Sequence, residues 1–213
     1  MNEEQARDWL TSKLHVSRET SERLETLLRL VIEENRRQNL ISEGSICQAW
    51  ARHIVDSAQL MRFATSGSSW IDLGTGAGFP GLVVALLHEG KVDLIEERRL
   101  RADFLERAAQ ELGVAEKTNV HCSKLERLTP TAYDIISARA FAPLEKLLTI
   151  SHPFSHSNTR WILPKGRNAR IELEAVKSSW QGDFRLEPSV TDEDAGIIVA
   201  NAVQPLEKGR GGQ

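Results

Sequence analysis

Several residue types and patterns are scarce in this chain of 213 residues, and each scarcity excludes a class of protein. Only two cysteines occur, Cys47 and Cys122, outside any Cys-x-x-Cys pair or Cys/His cluster, which excludes a disulfide framework and a zinc site. No apolar run approaches the roughly 18 residues of a membrane helix, and the acidic start lacks the pattern of a signal peptide. We therefore expect a soluble, cytoplasmic protein that uses neither a metal nor a membrane.

Excess positive charge is also lacking, since 27 Lys and Arg face 30 Asp and Glu, for a net charge of -3. Binding of nucleic acid by bulk attraction uses many Lys and Arg contacts to phosphate, so any RNA contact must come from local patches. The candidate patches are Arg36 with Arg37, the run of Arg98, Arg99 and Arg101, and the group of Lys165, Arg167 and Arg170. Any one of them taken alone is more typical of a solvated helix face.

The first 65 residues have the pattern of helices. A helix is predicted over residues 20–35 from the i, i+3, i+4, i+7 spacing of its apolar residues, which are Leu24, Leu27, Leu28, Val31 and Ile32. A shorter helix is predicted around residues 3–14, and another from Ser45, which has capping-box spacing to Gln48. Residues 1–65 are therefore predicted to form a helical segment that packs on the rest of the chain.

From residue 66 onward, short apolar runs alternate with segments long enough for helices. The runs lie at residues 70–73, 92–95, 119–122, 134–137 and 161–163. This βαβ rhythm predicts an α/β fold with a doubly wound, mostly parallel sheet in a core of residues 66–206. Runs at 184–186 and 196–200 have no clear helix between them and predict an antiparallel C-terminal edge. Residues 207–213 are predicted to be a disordered tail.

A glycine-rich loop follows the first predicted strand, in the segment WIDLGTGAGFPG of residues 70–81. Glycines let the backbone approach a ligand, and the following helix presents free N–H groups at its start. Gly76, Gly78 and Gly81 match the dinucleotide pattern GxGxxG, and Glu96 lies 20 residues beyond Gly76, where an acid that binds ribose is expected. Spacing alone leaves a nicotinamide cofactor and S-adenosylmethionine open.

Two residues favour S-adenosylmethionine. The Asp72 carboxylate would repel a pyrophosphate but attract a cationic amino group or sulfonium, and S-adenosylmethionine carries both. Pro80 favours the first helical turn, which places Gly81 inside the helix and weakens the dinucleotide match. Glu96 suits either cofactor, because both contain an adenosine whose ribose hydroxyls need an acceptor. The loop is therefore predicted to bind S-adenosylmethionine.

Six segments resemble segments of the RsmG (GidB) family and occur in the same order. The members of this family are Rossmann-like class I methyltransferases of bacterial 16S ribosomal RNA. They are Asn39-Leu40, RHIVDS (52–57), DLGTGAGFPG (72–81), SKLE (123–126), SARAFAPL (137–144) and LPKG (163–166). The resemblance implies methyl transfer from S-adenosylmethionine to guanine N7. It also implies 16S ribosomal RNA within the small subunit as the partner, and we expect the protein to be a monomer.

The resemblance also assigns roles to individual residues, with Leu125 and Glu126 near the adenine and Arg139 at the end of the fourth strand. The predicted cofactor site comprises Asp72, Gly74, Thr75, Gly76, Gly78, Phe79, Glu96, Leu125, Glu126 and Arg139. The predicted RNA-binding residues are Arg52, His53, Arg98, Arg99, Phe141, Lys165 and Arg167. Arg139, Lys165 and His53 are the candidates for positioning the reactants.

Guanine N7 has a free lone pair and can attack a methyl group without first losing a proton, so no general base is expected. SARAFAP after the fourth predicted strand replaces the NPPY-type segment used on exocyclic amines, and the chain has no Pro-Cys nucleophile for carbon methylation. Catalysis is therefore predicted to rest on orientation.

Alternatives remain open for several residues and for the function. His53 either contacts the substrate or joins a salt bridge with Arg52 and Asp56, and Phe141 either stacks a flipped base or packs in the core. Lys165 is predicted to contact phosphate at the end of a parallel strand. Other possible functions are a methyltransferase of another RNA or a small molecule, a nicotinamide oxidoreductase, and a non-catalytic RNA-binding assembly factor.

Overall fold

A seven-stranded sheet with the order β3-β2-β1-β4-β5-β7-β6 organises residues 1–206, the part of the chain that the computed structural model describes. Its strands are β1 (Trp70–Leu73), β2 (Val92–Glu96), β3 (Thr118–Cys122), β4 (Tyr133–Ala138), β5 (Ser155–Lys165), β6 (Trp180–Pro188) and β7 (Gly196–Pro205). Strands β1 to β5 are parallel, and β7 pairs antiparallel with both β5 and β6. The predicted tail of residues 207–213 lies outside the described residues.

Helices cover both faces of this sheet. The α-helices are α1 (Glu3–Leu14), α2 (Arg18–Gln38), α3 (Glu43–Ile46), α4 (Asp56–Ala58), α5 (Gly81–Leu87), α6 (Arg99–Glu111), α7 (Leu144–Ser151) and α8 (Ala169–Val176). A π-helical turn (Trp50–Val55) leads into α4, and single 3-10 turns lie at Gln59–Phe63, Ala115–Lys117, Leu125–Arg127 and His152–Phe154. No helix within residues 1–206 combines the length and the apolar character needed to cross a bilayer.

Strand β1 separates two hydrophobic cores. Trp70 packs in the core that holds α1, α2, α5 and α6, whereas Ile71 and Leu73 pack in the core that holds α7 and α8. Successive side chains of a strand point to opposite faces, so a strand covered by helices on both sides must be apolar throughout. This is why every residue of β1 except Asp72 is apolar.

The N-terminal segment is helical as predicted, but its third helix starts earlier. Ser42 precedes α3, and Ser45 lies inside it, with its hydroxyl donating to the Ser42 carbonyl oxygen at 2.7 Å. The predicted capping box of Ser45 and Gln48 is wrong, because Ser45 lies inside α3 and the Gln48 N–H donates to the Ser45 backbone carbonyl oxygen, not to its hydroxyl.

The predicted C-terminal antiparallel pair is present, and β7 lies inside the sheet between β5 and β6. Strands β5 and β6 begin well ahead of the apolar runs that marked them, at Ser155 and Trp180. Much of β6 is exposed because it forms the edge of the sheet. An exposed edge needs few apolar residues, which explains β6, whereas β5 was underestimated because its first residues, 155–158, are polar and mostly exposed.

Candidate active site

A crevice of about 1280 Å³ opens where β1, β4 and β5 end. The strand order reverses between β1 and β4, and parallel sheets bind their ligands at such a point. The glycine loop forms the floor of the crevice. The walls comprise the π-helical turn with α4, the loop 139–143, the end of β5, and the turn 189–197.

The glycine loop has a backbone that only glycine accommodates easily. Gly74, Gly76 and Gly78 have φ angles of +68°, +60° and +94°. A Cβ atom on Gly74 would lie 2.5 Å from Cδ2 of Phe141, and one on Gly78 would lie 2.7 Å from Cδ1 of Leu82. The loop therefore needs glycine both for its conformation and for its packing.

The Asp72 carboxylate lies fully buried beneath this loop. Its Oδ1 accepts a hydrogen bond from the Ser137 hydroxyl at 2.6 Å, and its Oδ2 accepts from the Thr75 hydroxyl at 2.8 Å and the Gly81 N–H at 3.0 Å. The prediction that Asp72 directly attracts a cationic ligand group is thus corrected, because both oxygens face donors of the chain. Asp72 instead joins β1, the loop, β4 and the start of α5.

Burial raises the pKa of Asp72 to about 6, and the hydrogen bonds from Ser137, Thr75 and Gly81 oppose that rise. The carboxyl group is therefore mostly ionised at neutral pH. An ionised carboxylate is a strong acceptor, which suits its three donors.

Glu96 closes the loop from the β2 side. One carboxylate oxygen accepts from the Gly76 N–H at 3.1 Å, and the other accepts from the Arg98 N–H at 2.8 Å. Each carboxylate oxygen has a further lone pair for a second hydrogen bond. The spacing that matched Glu96 to Gly76 in the sequence thus corresponds to a direct contact.

Arg139 connects the end of β4 to the N-terminal segment. Its Nη1 donates to Asp56 Oδ2 and to the Arg52 carbonyl oxygen, both at 3.2 Å, and its Cζ lies 5.5 Å from the centre of the Phe79 ring. Of the two alternatives for His53, the salt bridge with Arg52 and Asp56 is absent within residues 1–206, because Asp56 faces the crevice and pairs with Arg139. Arg139 thereby ties the end of β4 to the π-helical turn and α4.

His53 lines the crevice with its ring stacked on Phe79, at a centroid distance of 5.0 Å and an interplanar angle of 16°. Its Nε2 lies 3.0 Å from Oγ of Ser45. Since the single hydroxyl proton of Ser45 goes to the Ser42 carbonyl, Nε2 must carry the ring proton. Nδ1 is then a bare acceptor, and it is buried without a partner within residues 1–206.

Burial lowers the pKa of His53 from 6.5 to about 4, and the positive charges of Arg139 and Arg52 add to this effect. His53 is therefore neutral at pH 7. Between pH 4 and 6.5 the folded chain binds fewer protons at this group than the unfolded chain does. The contribution of His53 thus destabilises the fold progressively as the pH falls through this window, and it levels off below pH 4.

We expect His53→Phe to lose less stability on acidification than the unmodified chain. Between pH 7 and pH 4.5, the change in the free energy of unfolding should differ between the two by about 2 kcal/mol. Phenylalanine keeps an aromatic ring against Phe79 and does not titrate. The measurement is urea unfolding across this pH range, and only the difference between the two curves is used, because Asp72 titrates in an overlapping range with opposite sign. Parallel curves would contradict the assignment.

Lys165 lies inside the crevice wall, with its side chain 10% exposed. Its Nζ donates to the Ala142 carbonyl oxygen and to Glu172 Oε2, both at 2.9 Å. The same Glu172 oxygen accepts from the Leu144 N–H at 2.7 Å. The ammonium group thus fastens the loop 139–143 to α8 and keeps a third N–H donor, so its predicted phosphate contact stays a prediction.

The structure does not bring every predicted site residue to the crevice. Leu125 is 1% exposed and packs in the core with α7 and α8, and Glu126 is exposed outside the crevice. Arg98 and Arg99 are exposed at the start of α6, where Arg99 pairs with Asp103. Arg167 is exposed just beyond the crevice wall. Gly74, Thr75, Gly76, Phe79, Arg52, His53, Arg139, Phe141 and Lys165 line the crevice, as does Arg101.

Sequence reasoning missed the turn that precedes β7. The Thr191 hydroxyl donates to Asp56 Oδ1 at 3.0 Å, and the Val190 N–H donates to Gln59 Oε1 at 2.9 Å. No motif marks this turn, and Asp56 was named in the sequence analysis only as a possible salt-bridge partner of His53. Despite the acidic residues at 192–194, the described part of the chain has no group of three side chains suited to hold a metal ion.

Solved structures with the same fold are S-adenosylmethionine-dependent methyltransferases. An O-methyltransferase from Bacillus cereus in complex with SAH superposes with a TM-score of 0.62 at 13% identity, covering 91% of this chain and 96% of that one. A TehB-like SAM-dependent methyltransferase from Corynebacterium glutamicum has a TM-score of 0.56 at 15% identity, covering 82% and 98%. These likenesses confirm the predicted Rossmann-like methyltransferase fold.

Residues 20–195 match the family model described as GidB, rRNA small subunit methyltransferase G. The ribosomal RNA small subunit methyltransferase G of Rhizorhabdus wittichii is 52% identical over 216 residues, covering 100% of this chain and 99% of that protein. The protein of the same name from Zymomonas mobilis is 46% identical over 220 residues, covering 99% of each. The resemblance of the six segments is thereby confirmed, and the chain belongs to the rRNA small subunit methyltransferase G family.

Proposed function

We propose that this chain transfers a methyl group from S-adenosylmethionine to N7 of a guanine in 16S ribosomal RNA within the small subunit, without a general base. The observation that carries the proposal is one crevice whose floor is the glycine loop and whose walls include Arg139 and Phe141. The crevice exceeds the roughly 300–1,000 Å³ of most small-molecule sites, which leaves room for a cofactor and a base together. The names of the relatives supply the class of RNA.

The residues of the loop fit S-adenosylmethionine. Gly74 and Gly76 present backbone without a Cβ atom to the crevice, and Phe79 adds an aromatic ring beside them. Glu96 lies against Gly76 and has lone pairs left for ribose hydroxyls. These residues would hold the cofactor, with Asp72 fixing the loop from below. When bound, the cofactor supplies an electrophilic methyl group on a sulfonium.

Three titratable groups in the crevice walls support attack without a general base, whereas the carboxylates of Asp192, Glu193 and Asp194 lie exposed on the turn that precedes β7. The carboxylates of Asp56 and Glu172 are paired with Arg139 and Lys165, and His53 is a neutral ring whose free nitrogen is buried. Guanine N7 carries no proton, so its lone pair forms the bond to the methyl carbon as the carbon–sulfur bond breaks. The protein then contributes orientation, which effective-molarity arguments place at up to roughly 7–11 kcal/mol.

Phe141 is the residue that we assign to the target base. Its ring lies against Gly74 at the crevice floor, so a base stacked on it would be next to the glycine loop. Arg139 holds the wall beside Phe79 and leaves the N7 edge free for reaction. Arg101, which also lines the crevice, remains available for phosphate.

The test is incubation of the protein with labelled S-adenosylmethionine and unmethylated small subunits, followed by mapping of the modified base. We expect label in 7-methylguanine at one position, and none in a pool of small metabolites. Label on an exocyclic amine or a ring carbon would contradict the N7 assignment. Binding of the cofactor without turnover on any RNA would indicate a non-catalytic assembly factor instead.

A further inference from the structure

Two large apolar side chains stand exposed beside the crevice. Leu100 is 65% exposed and Ile171 is 70% exposed, whereas Met1 and Leu206, the other large apolar residues exposed within residues 1–206, are each 39% exposed. A side chain this exposed contributes little to the stability of its own fold, and its burial against a partner is favourable. Both residues therefore have apolar area left for a partner.

The two side chains lie on opposite sides of the glycine loop. Leu100 is in the first turn of α6, which follows β2, and Ile171 is in the first turn of α8, which follows β5. In the order β2-β1-β4-β5, three strand spacings separate the two strand ends, about 14 Å in all. Arg101 next to Leu100 and Glu172 next to Ile171 both line the crevice. The first turns of α6 and α8 thus both lie at the edge of the sheet where the crevice opens, one on each face of the sheet.

Arginines lie near both apolar side chains in the sequence. Arg98, Arg99 and Arg101 neighbour Leu100, and Arg167 and Arg170 neighbour Ile171. Within residues 1–206, Arg99 is the one member of this set with an ion pair, to Asp103. Within the same residues, the guanidinium groups of Arg98, Arg167 and Arg170 have no hydrogen bond, and that of Arg101 donates one to the Asn39 carbonyl oxygen at 3.5 Å. These groups can bind anions, although the chain as a whole has a net charge of -3. Cations beside an apolar side chain match unpaired nucleotides, whose phosphates are charged and whose base faces are apolar.

The chemistry of the target favours such nucleotides. In an A-form helix the N7 edge of guanine faces a deep, narrow groove that side chains cannot enter. A guanine methylated at N7 by this crevice must therefore leave the stack, and its neighbours in the strand then have free faces.

We propose that Leu100 and Ile171 each pack against an unstacked RNA base on either side of the target guanine, while the adjacent arginines bind the phosphates. This rests on the proposed function, because it takes ribosomal RNA as the substrate. Apolar side chains such as Leu and Ile pack between unstacked base steps in other nucleic-acid complexes. The positive charge of the arginines favours RNA over an apolar protein surface as the binding partner.

The test compares Leu100→Ser, Ile171→Ser and the double variant with Leu206→Ser, an exposed leucine that directly follows β7 and does not line the crevice. The dissociation constant is measured for unmethylated small subunits and for a single-stranded rRNA loop fragment, over a range of salt. We expect Leu100→Ser and Ile171→Ser each to weaken both by roughly fivefold to tenfold. The salt slope should stay unchanged, because no charge is lost, and affinity for SAH should not change.

Arg98→Ala with Arg170→Ala is the complementary pair. It should weaken binding and lower the salt slope by about 1.4, since each phosphate contact on a single strand contributes about 0.7.

Normal RNA binding by the double serine variant would overturn the proposal, as would equal weakening by Leu206→Ser. Weaker binding of subunits with normal binding of the RNA fragment would also overturn it, since the contact would then be to a ribosomal protein. Failure of the unmodified chain to methylate or bind rRNA would instead refute the proposed function.

Discussion

Asp72→Ala is expected to abolish binding of SAH and to lower the free energy of unfolding by roughly 3 kcal/mol or more. The substitution removes the acceptor for the Ser137 hydroxyl, the Thr75 hydroxyl and the Gly81 N–H, all of which lie within 3.0 Å of the carboxylate. A buried donor without an acceptor costs about 1–3 kcal/mol. The loop also loses its attachment to α5. Urea unfolding and calorimetry with SAH measure the two effects.

Asp103→Ala is the matched control for Asp72→Ala. Asp103 is a half-exposed carboxylate on α6 that pairs with Arg99 at 2.8 Å, and such surface pairs contribute about 0.3–0.5 kcal/mol. We expect it to leave SAH binding intact. Asp72→Asn keeps the size of the side chain and should be less harmful than alanine. If Asp72→Ala binds SAH normally, the carboxylate does not hold the loop.

Gly74→Val is expected to weaken SAH binding by roughly a hundredfold or more, about 3 kcal/mol. Two effects act together. The φ angle of +68° is unfavourable for a β-branched residue, and the new Cβ would meet the Phe141 ring at 2.5 Å. The ring and the loop backbone must therefore move apart, which changes the crevice floor. Calorimetry with SAH is the measurement.

Gly113→Val separates the two effects of Gly74→Val. Gly113 has the same φ angle of +68°, but a Cβ atom added there would meet no other atom within 4 Å, so the substitution carries the backbone strain without the collision. It should lower stability and leave SAH affinity unchanged. Combining Gly74→Val with Phe141→Ala should recover part of the lost affinity, because the collision is relieved and the strain remains. No recovery at all would show that Phe141 is not the obstacle.

The sequence predicted the framework of the fold, since that framework depends on local patterns. Apolar runs located all seven strands. The position of β7 between β5 and β6 was beyond such patterns. An antiparallel pair looks the same in the sequence whichever of its two strands joins the sheet.

The site was harder to predict, because the role of a charged side chain depends on its partner. Asp72 was correctly placed at the end of β1, but its partner Ser137 comes from β4, 65 residues further on. Lys165 was correctly placed at the crevice, yet nothing in LPKG indicates that Glu172 turns back to pair with it. Residue type and spacing identified the crevice. They could not tell which charges face the ligand and which hold the wall.

The interior position of β7 has a consequence for how the chain folds during synthesis. Within the described residues, β6 pairs with β7 and with no other strand, and β7 follows β6 along the chain. While the chain grows from its N-terminus, β5 and β6 both emerge with open edges, and neither can be closed until β7 has followed. Open edges are templates for pairing with other chains. The growing protein therefore exposes two such templates in the interval between the emergence of β6 and that of β7.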